Sequence, residues 1–96
     1  MTTWFVSRHA GAVAWAAAQG IHVDRLVAHL DLQDIQPQDR ILGTLPVYLA
    51  AQVCAKGAEY WHLSLEIPAH LRGAELSAEQ MNVLGACLQR FAVLAL

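Results

Sequence analysis

Three adjacent residues, Ser7, Arg8 and His9, place a hydroxyl, a guanidinium and an imidazole at the end of a short apolar run, Trp4-Phe5-Val6, with Gly11 just behind. Arg8 can fork two hydrogen bonds onto phosphate oxygens. His9 belongs to the residue type that titrates near neutrality and moves protons. A second polar corner, Gly43-Thr44-Leu45-Pro46, follows another apolar run, Ile41-Leu42. Both corners read as strand ends that open helices. A helix start offers unpaired N–H groups and a partial positive charge suited to an anion. Gly11 and Gly43 lack a Cβ and could admit a close ligand. Each residue also has an ordinary reading. Ser7 fits a plain strand end, Arg8 a surface pair with Asp31 or Asp34, His9 a loop residue, and Gly43-Thr44 a simple turn.

The elements that must position these corners follow from the pattern. Residues 3–7 are β-branched and aromatic, as in a buried strand. Residues 10–19 are alanine-rich and stop at Gly20, a helix with a glycine C-terminal signal. A second strand is expected at 23–28, then a polar loop over 29–38 and a third strand at 40–43. Thr44 is expected to cap a helix over 46–57, with Pro46 in its first turn and Lys56-Gly57 closing it. A fourth strand spans 59–65. Ser77 and Gln80 form a capping box for a last helix over 78–93, with Met81, Leu84, Leu88 and Phe91 on one face.

The order β-α-β-β-α-β-α implies an α/β chain, a small Rossmann-like three-layer sandwich with a mostly parallel four-stranded sheet. With strand 2 outside strand 1 and strand 3 on its other side, the chain reverses at strand 1. Ligands of such sheets sit at that reversal, beyond the carboxyl ends of the strands. The topology therefore brings Ser7-Arg8-His9 and Gly43-Thr44 to one crevice.

Composition narrows the class. Ninety-six residues form one domain, 1–96. The chain is 56% hydrophobic and 15% charged, apolar enough to suggest a second copy covering part of the surface. The apolar tail from Phe91 to Leu96 is expected to complete the core or enter a dimer interface. A net charge of −2 argues against coating long nucleic acid, while leaving room for a small anion. No apolar run reaches the ~18 residues of a membrane span. Cys54 and Cys87 both fall in helical patterns and read as small core residues. Without a disulfide framework, a reducing cytoplasm is the expected compartment. No histidine or cysteine spacing matches a metal site, so neither metal nor cofactor is expected. His22, His29 and His70 are expected to face solvent, and His62, in strand 4, to lie in the core or on the surface.

Several segments occur together in one known family: Ser7-Arg8-His9-Ala10-Gly11-Ala12, Gln19-Gly20-Ile21-His22-Val23, Asp34-Ile35-Gln36-Pro37, Gly43-Thr44-Leu45-Pro46 and His62-Leu63-Ser64-Leu65. In this order and spacing, the set resembles the small CRISPR-associated ancillary family numbered sixteen in the Csx series, found with type III systems. The family's usual proline after the Arg-His pair is Ala10 here. The resemblance covers nearly the whole chain. It implies a dimeric Rossmann-like domain related to the cyclic-oligoadenylate (CARF) sensors. It also implies a ring nuclease that linearises cyclic tetra-adenylate and silences type III signalling.

That chemistry requires no metal. A ribose 2′-hydroxyl attacks its own phosphate and expels the 5′-oxygen, provided the three atoms are held in line and the added charge is stabilised. Arg8 and the helix N–H groups suit the charge. His9 is the first candidate for proton transfer, and Ser7 and Thr44 for orienting ribose or phosphate. Gly11, Gly43, Leu45, Pro46 and Ser64 are expected around the ligand, with Arg72 on a loop over 66–75 that could close over it. A symmetric dimer would offer the crevice twice to a symmetric ring. The competing classes are a non-catalytic protein that sequesters the ring and a structural or interaction protein of the CRISPR system. A metal-dependent phosphodiesterase is disfavoured by the scattered carboxylates and histidines.

Overall fold

A computed structural model describes residues 1–9 and 11–96; the departure at Ala10 lies outside the described residues. Five strands form one sheet: β1 (Thr3–Val6), β2 (Arg25–Val27), β3 (Arg40–Gly43), β4 (Glu59–Ser64) and β5 (Cys87–Phe91). Their spatial order is β2-β1-β3-β4-β5. β1 pairs parallel with β2 and β3, and β3 parallel with β4. The chain therefore reverses at β1, as expected, and the general α/β class is as read.

Alternation along the strands builds two core layers. Phe5, Leu42 and Leu63 face α1 (Ala12–Ala18) and α3 (Ala78–Val83), meeting Trp15, Ala16 and Met81. Ile41 and Tyr60 face α2 (Val47–Ala55), meeting Ala50 and Val53. Helices thus cover both faces of the sheet. Glycine ends two of them as expected. Gly20 (φ +81°) follows α1, and Gly57 (φ +84°) follows α2, in the left-handed conformation that costs other residues most. The Ser77–Gln80 capping box is present, both halves made.

The last third of the chain corrects the expectation. The sheet has five strands, not four, and the helix expected over 78–93 ends at Val83. Gly85 (φ +75°) turns the chain, and residues 87–91 form β5, antiparallel to β4. The physical reason is placement. The Glu66 N–H donates to the Leu84 carbonyl (3.0 Å), which holds the end of α3 beside the carboxyl end of β4. A strand starting there can only run back along β4, and Cys87 pairs opposite Ser64. This satisfies backbone groups that β4 would otherwise leave unpaired at a sheet edge. Cys87 consequently sits exposed on a strand rather than inside a helix, while Cys54 in α2 is half-buried. The tail is divided: Val93 packs on the α2 layer, and Leu94 and Leu96 are exposed.

One buried acid ties the amino end of the sheet together. Asp39, 2% exposed, accepts hydrogen bonds from the Thr2 N–H (2.9 Å), the Gln36 N–H (3.0 Å) and Trp4 Nε1–H (3.2 Å). Burial pushes its carboxyl up, but these donors, helped by the nearby amino terminus, outweigh it and hold the carboxyl below its usual range.

No described helix is long and apolar enough to cross a membrane.

Candidate functional site

β1, β3 and β4 run in the same direction, so their carboxyl ends share one edge of the sheet. A cleft of about 660 Å³ opens there, of the size that holds small-molecule ligands. Ser7, Arg8 and His9 follow β1 into it, Thr44 follows β3, and Ser64 ends β4. The two polar corners therefore meet, although 33 residues lie between His9 and Gly43 in the chain.

The β1 corner is held by its own hydrogen bonds. The Ser7 N–H donates to Val27 of β2 (2.9 Å), and Ser7 Oγ accepts from the His9 N–H (3.0 Å). That leaves the Ser7 hydroxyl proton free to be given elsewhere. The segment before α3 clamps the corner from the other side. The Gly11 N–H donates to the Leu76 carbonyl (3.1 Å), and the Leu76 N–H donates to His9 Nδ1 (3.3 Å). A backbone N–H facing Nδ1 fixes the tautomer: the neutral His9 ring carries its proton on Nε2. Arg8 is exposed at the cleft, and no described acid forms an ion pair with it, Asp31 and Asp34 included.

The β3 corner is held differently from the expectation. Thr44 is not a helix cap. Its Oγ1 donates to the Leu63 carbonyl (2.6 Å), and Pro46 occupies the cap position of α2. The reason is local: Gly43, at φ +149°, carries the chain away from β3 so that Thr44 leans on β4 rather than on the helix. Leu45 is a core residue, and its N–H donates to Tyr60 Oη (3.0 Å).

Two of the expected ligand contacts therefore have other partners. The space beside Gly11 is filled by the backbone of Ser77 and Ala78, and that beside Gly43 by the carbonyl of Val6, 2.7 Å from where a Cβ would lie. These glycines let backbones pack. The N–H groups of Gly11, Ala12 and Leu45 donate to Leu76, His9 and Tyr60, and Pro46 has none to offer. Gly11, Gly43, Leu45 and Pro46 support the cleft without lining it, and Arg72 stands beside it, next to the lining residue Gly73.

Two titratable side chains of the lining were not among the expected site residues: His62, read as a core or surface residue of strand 4, and Glu75. His62 could have been found from register. It pairs opposite Gly43 in a parallel ladder, two residues before the strand ends. Nothing local marks Glu75, which the loop ahead of α3 brings in. The His62 ring is held edge-on by Tyr60 and Phe91, each with centroids 5.8 Å away. Its Nδ1 lies 2.7 Å from Tyr60 Oη. Burial pushes the Tyr60 hydroxyl above its usual pKa, against the bond from Leu45, so it stays protonated at neutral pH. His22, His29 and His70 are exposed, as expected. Among the described residues, no group of three or more histidine, cysteine or acidic side chains is placed to hold a metal ion.

A family model described as "Putative CRISPR-associated protein (Cas_VVA1548)" matches residues 4–94 of the chain. No curated protein and no solved structure matches it.

Proposed function

The chain belongs to this CRISPR-associated family, and from that premise we propose that it is a ring nuclease acting on cyclic tetra-adenylate. The observation that carries the reading is the convergence of Ser7, Arg8, His9, Thr44 and Ser64 in one cleft at the point of chain reversal. The resemblance of the ordered segments supplies the substrate.

In the proposed mechanism Arg8 binds the scissile phosphate and offsets the charge that builds up as the 2′-oxygen attacks. His9 adds a fixed donor at Nε2, since its Nδ1 is taken by Leu76. The Ser7 and Ser64 hydroxyls orient ribose or phosphate oxygens. The Glu75 carboxylate is an acceptor for a ribose hydroxyl or the amino group of adenine. The product is a linear oligonucleotide ending in a 2′,3′-cyclic phosphate, and the step needs no metal. One cleft is small for a four-nucleotide ring. We place two chains around a two-fold axis, each engaging half of it. Val47, Tyr48, Leu94 and Leu96 are among the exposed apolar side chains available for that contact.

The deciding experiment incubates the pure protein in excess over cyclic tetra-adenylate with EDTA and separates products by chromatography. Linear product with a cyclic phosphate end is expected. A ring that stays intact for hours ends the nuclease reading. Calorimetry on the same sample then separates a sequestering protein, which binds the ring, from an interaction protein, which does not.

A further inference from the structure

We propose that His62 is the proton-carrying residue of the cleft and that the Tyr60 hydroxyl is its positioning residue. This rests on the ring-cleavage reading and assigns a step within it.

Two histidines line the cleft, and both have Nδ1 engaged, but by partners of opposite character. His9 Nδ1 faces the Leu76 N–H, which can only donate. A protonated His9 would set N–H against N–H and leave the Leu76 N–H without its acceptor. The neutral His9 ring therefore carries its proton on Nε2, and a second proton on Nδ1 would break the clamp to Leu76.

His62 Nδ1 faces a hydroxyl, which can both donate and accept. Tyr60 Oη has three neighbours: the Leu45 N–H at 3.0 Å, the Gly43 carbonyl at 3.3 Å and His62 Nδ1 at 2.7 Å. Its single proton has two places to go. Turned toward His62, it makes Nδ1 an acceptor and puts the ring proton on Nε2. Turned toward the Gly43 carbonyl, it lets His62 Nδ1–H donate to Oη and leaves Nε2 bare. In this second setting Oη accepts from Leu45 and His62 and donates to Gly43, so every group is satisfied. The same setting holds when Nε2 gains a proton, because Nδ1–H still donates to Oη. Rotation of one O–H bond thus allows His62 to take up and release a proton without breaking its anchor. Tyr60 is 3% exposed, so solvent does not compete for that hydroxyl.

The proposed step balances as an isomerisation. As the 2′-oxygen bonds to phosphorus, its proton passes to His62 Nε2. The P–O5′ bond breaks, with its electron pair leaving on the 5′-oxygen, and the imidazolium returns the proton to that oxygen. No water is consumed.

The test compares wild-type protein with His62→Gln, Tyr60→Phe and His9→Gln in single-turnover cleavage of cyclic tetra-adenylate, alongside calorimetric binding and circular dichroism. His62→Gln is expected to bind within a few-fold of wild type and cleave about 10²–10⁴-fold more slowly, the usual worth of general acid–base catalysis. Tyr60→Phe is expected to slow cleavage more than it weakens binding and to shift the His62 ring-nitrogen resonances in ¹⁵N-labelled protein. His9→Gln is expected to weaken binding, with a smaller loss in the single-turnover rate at saturation. A folded His62→Gln protein that cleaves at the wild-type rate overturns the assignment and leaves the nuclease reading intact. Unchanged His62 ring resonances in Tyr60→Phe overturn the positioning role. A wild-type protein that leaves the ring whole overturns the nuclease reading itself.

Discussion

Gly11→Ala tests whether the glycine behind the Ser-Arg-His corner makes room for a ligand or for the protein's own backbone. Its φ of −79° suits any residue, so conformational strain contributes nothing to the effect. Space is the issue: an added Cβ would overlap the Ala78 nitrogen and the Ser77 carbonyl carbon and lie 2.7 Å from Ser77 Cα. These are backbone atoms at the start of α3, so they yield only if the helix moves. Overpacking of this kind costs about 1–3 kcal/mol. Displacing the segment also strains the Gly11–Leu76 and Leu76–His9 hydrogen bonds, at about 1 kcal/mol each. The sum is about 3–5 kcal/mol, a large share of the ~5–15 kcal/mol that holds a domain together. At ~4–8 °C per kcal/mol, Tm falls by at least about 12 °C. Urea unfolding followed by tryptophan fluorescence reads this directly, because buried Trp15 bonds to Asn82 of α3 (3.1 Å). Gly20→Ala is the control. Its φ is +81° and nothing lies within 4 Å of where a Cβ would stand, so it costs only the left-handed strain, about 1–2 kcal/mol. A Gly11→Ala protein no less stable than Gly20→Ala would refute the reasoning. If it also lost ligand binding, the glycine would serve the ligand after all.

Arg8→Ala is expected to keep its stability, since Arg8 is exposed and pairs with no described acid, but to weaken ring binding. A charge-assisted hydrogen bond worth about 1.5–3 kcal/mol corresponds to a loss of about 10–150-fold, read by calorimetry at fixed salt. Asp39 has its folded pKa depressed, so its contribution is complete above the unfolded value and fades as pH falls through the folded one. Stability measured by urea unfolding is thus expected to decline below about pH 4. Asp39→Asn is expected to flatten that decline and lower stability at pH 7, because the amide's own N–H₂ competes with the three donors Asp39 now satisfies. Thr44→Val removes the bond to the Leu63 carbonyl and should cost about 1 kcal/mol in the same assay.

Local chemistry made much of the fold legible. Trp4-Phe5-Val6 is an aromatic and β-branched run and Ile41-Leu42 an aliphatic one, both short and wholly apolar, as in buried strands. Gly20, Gly57 and the Ser77–Gln80 box carry their meaning in one or two residues, because a left-handed turn or a capped N-terminus is a local event. The meeting of Ser7-Arg8-His9 with Thr44 could also be foreseen, since the alternation of strand and helix dictates parallel strands whose ends share an edge. Three things could not. Met81, Leu84, Leu88 and Phe91 keep helical spacing, yet the unpaired edge of β4 claimed residues 87–91 as a strand. Gly11 and Gly43 carry no sign in the sequence that they serve backbone contact rather than a ligand, because Ser77, Ala78 and Val6 reach them only in the folded chain. The two histidines of the cleft are alike in sequence; the tertiary structure set one against a fixed N–H and the other against a hydroxyl free to turn.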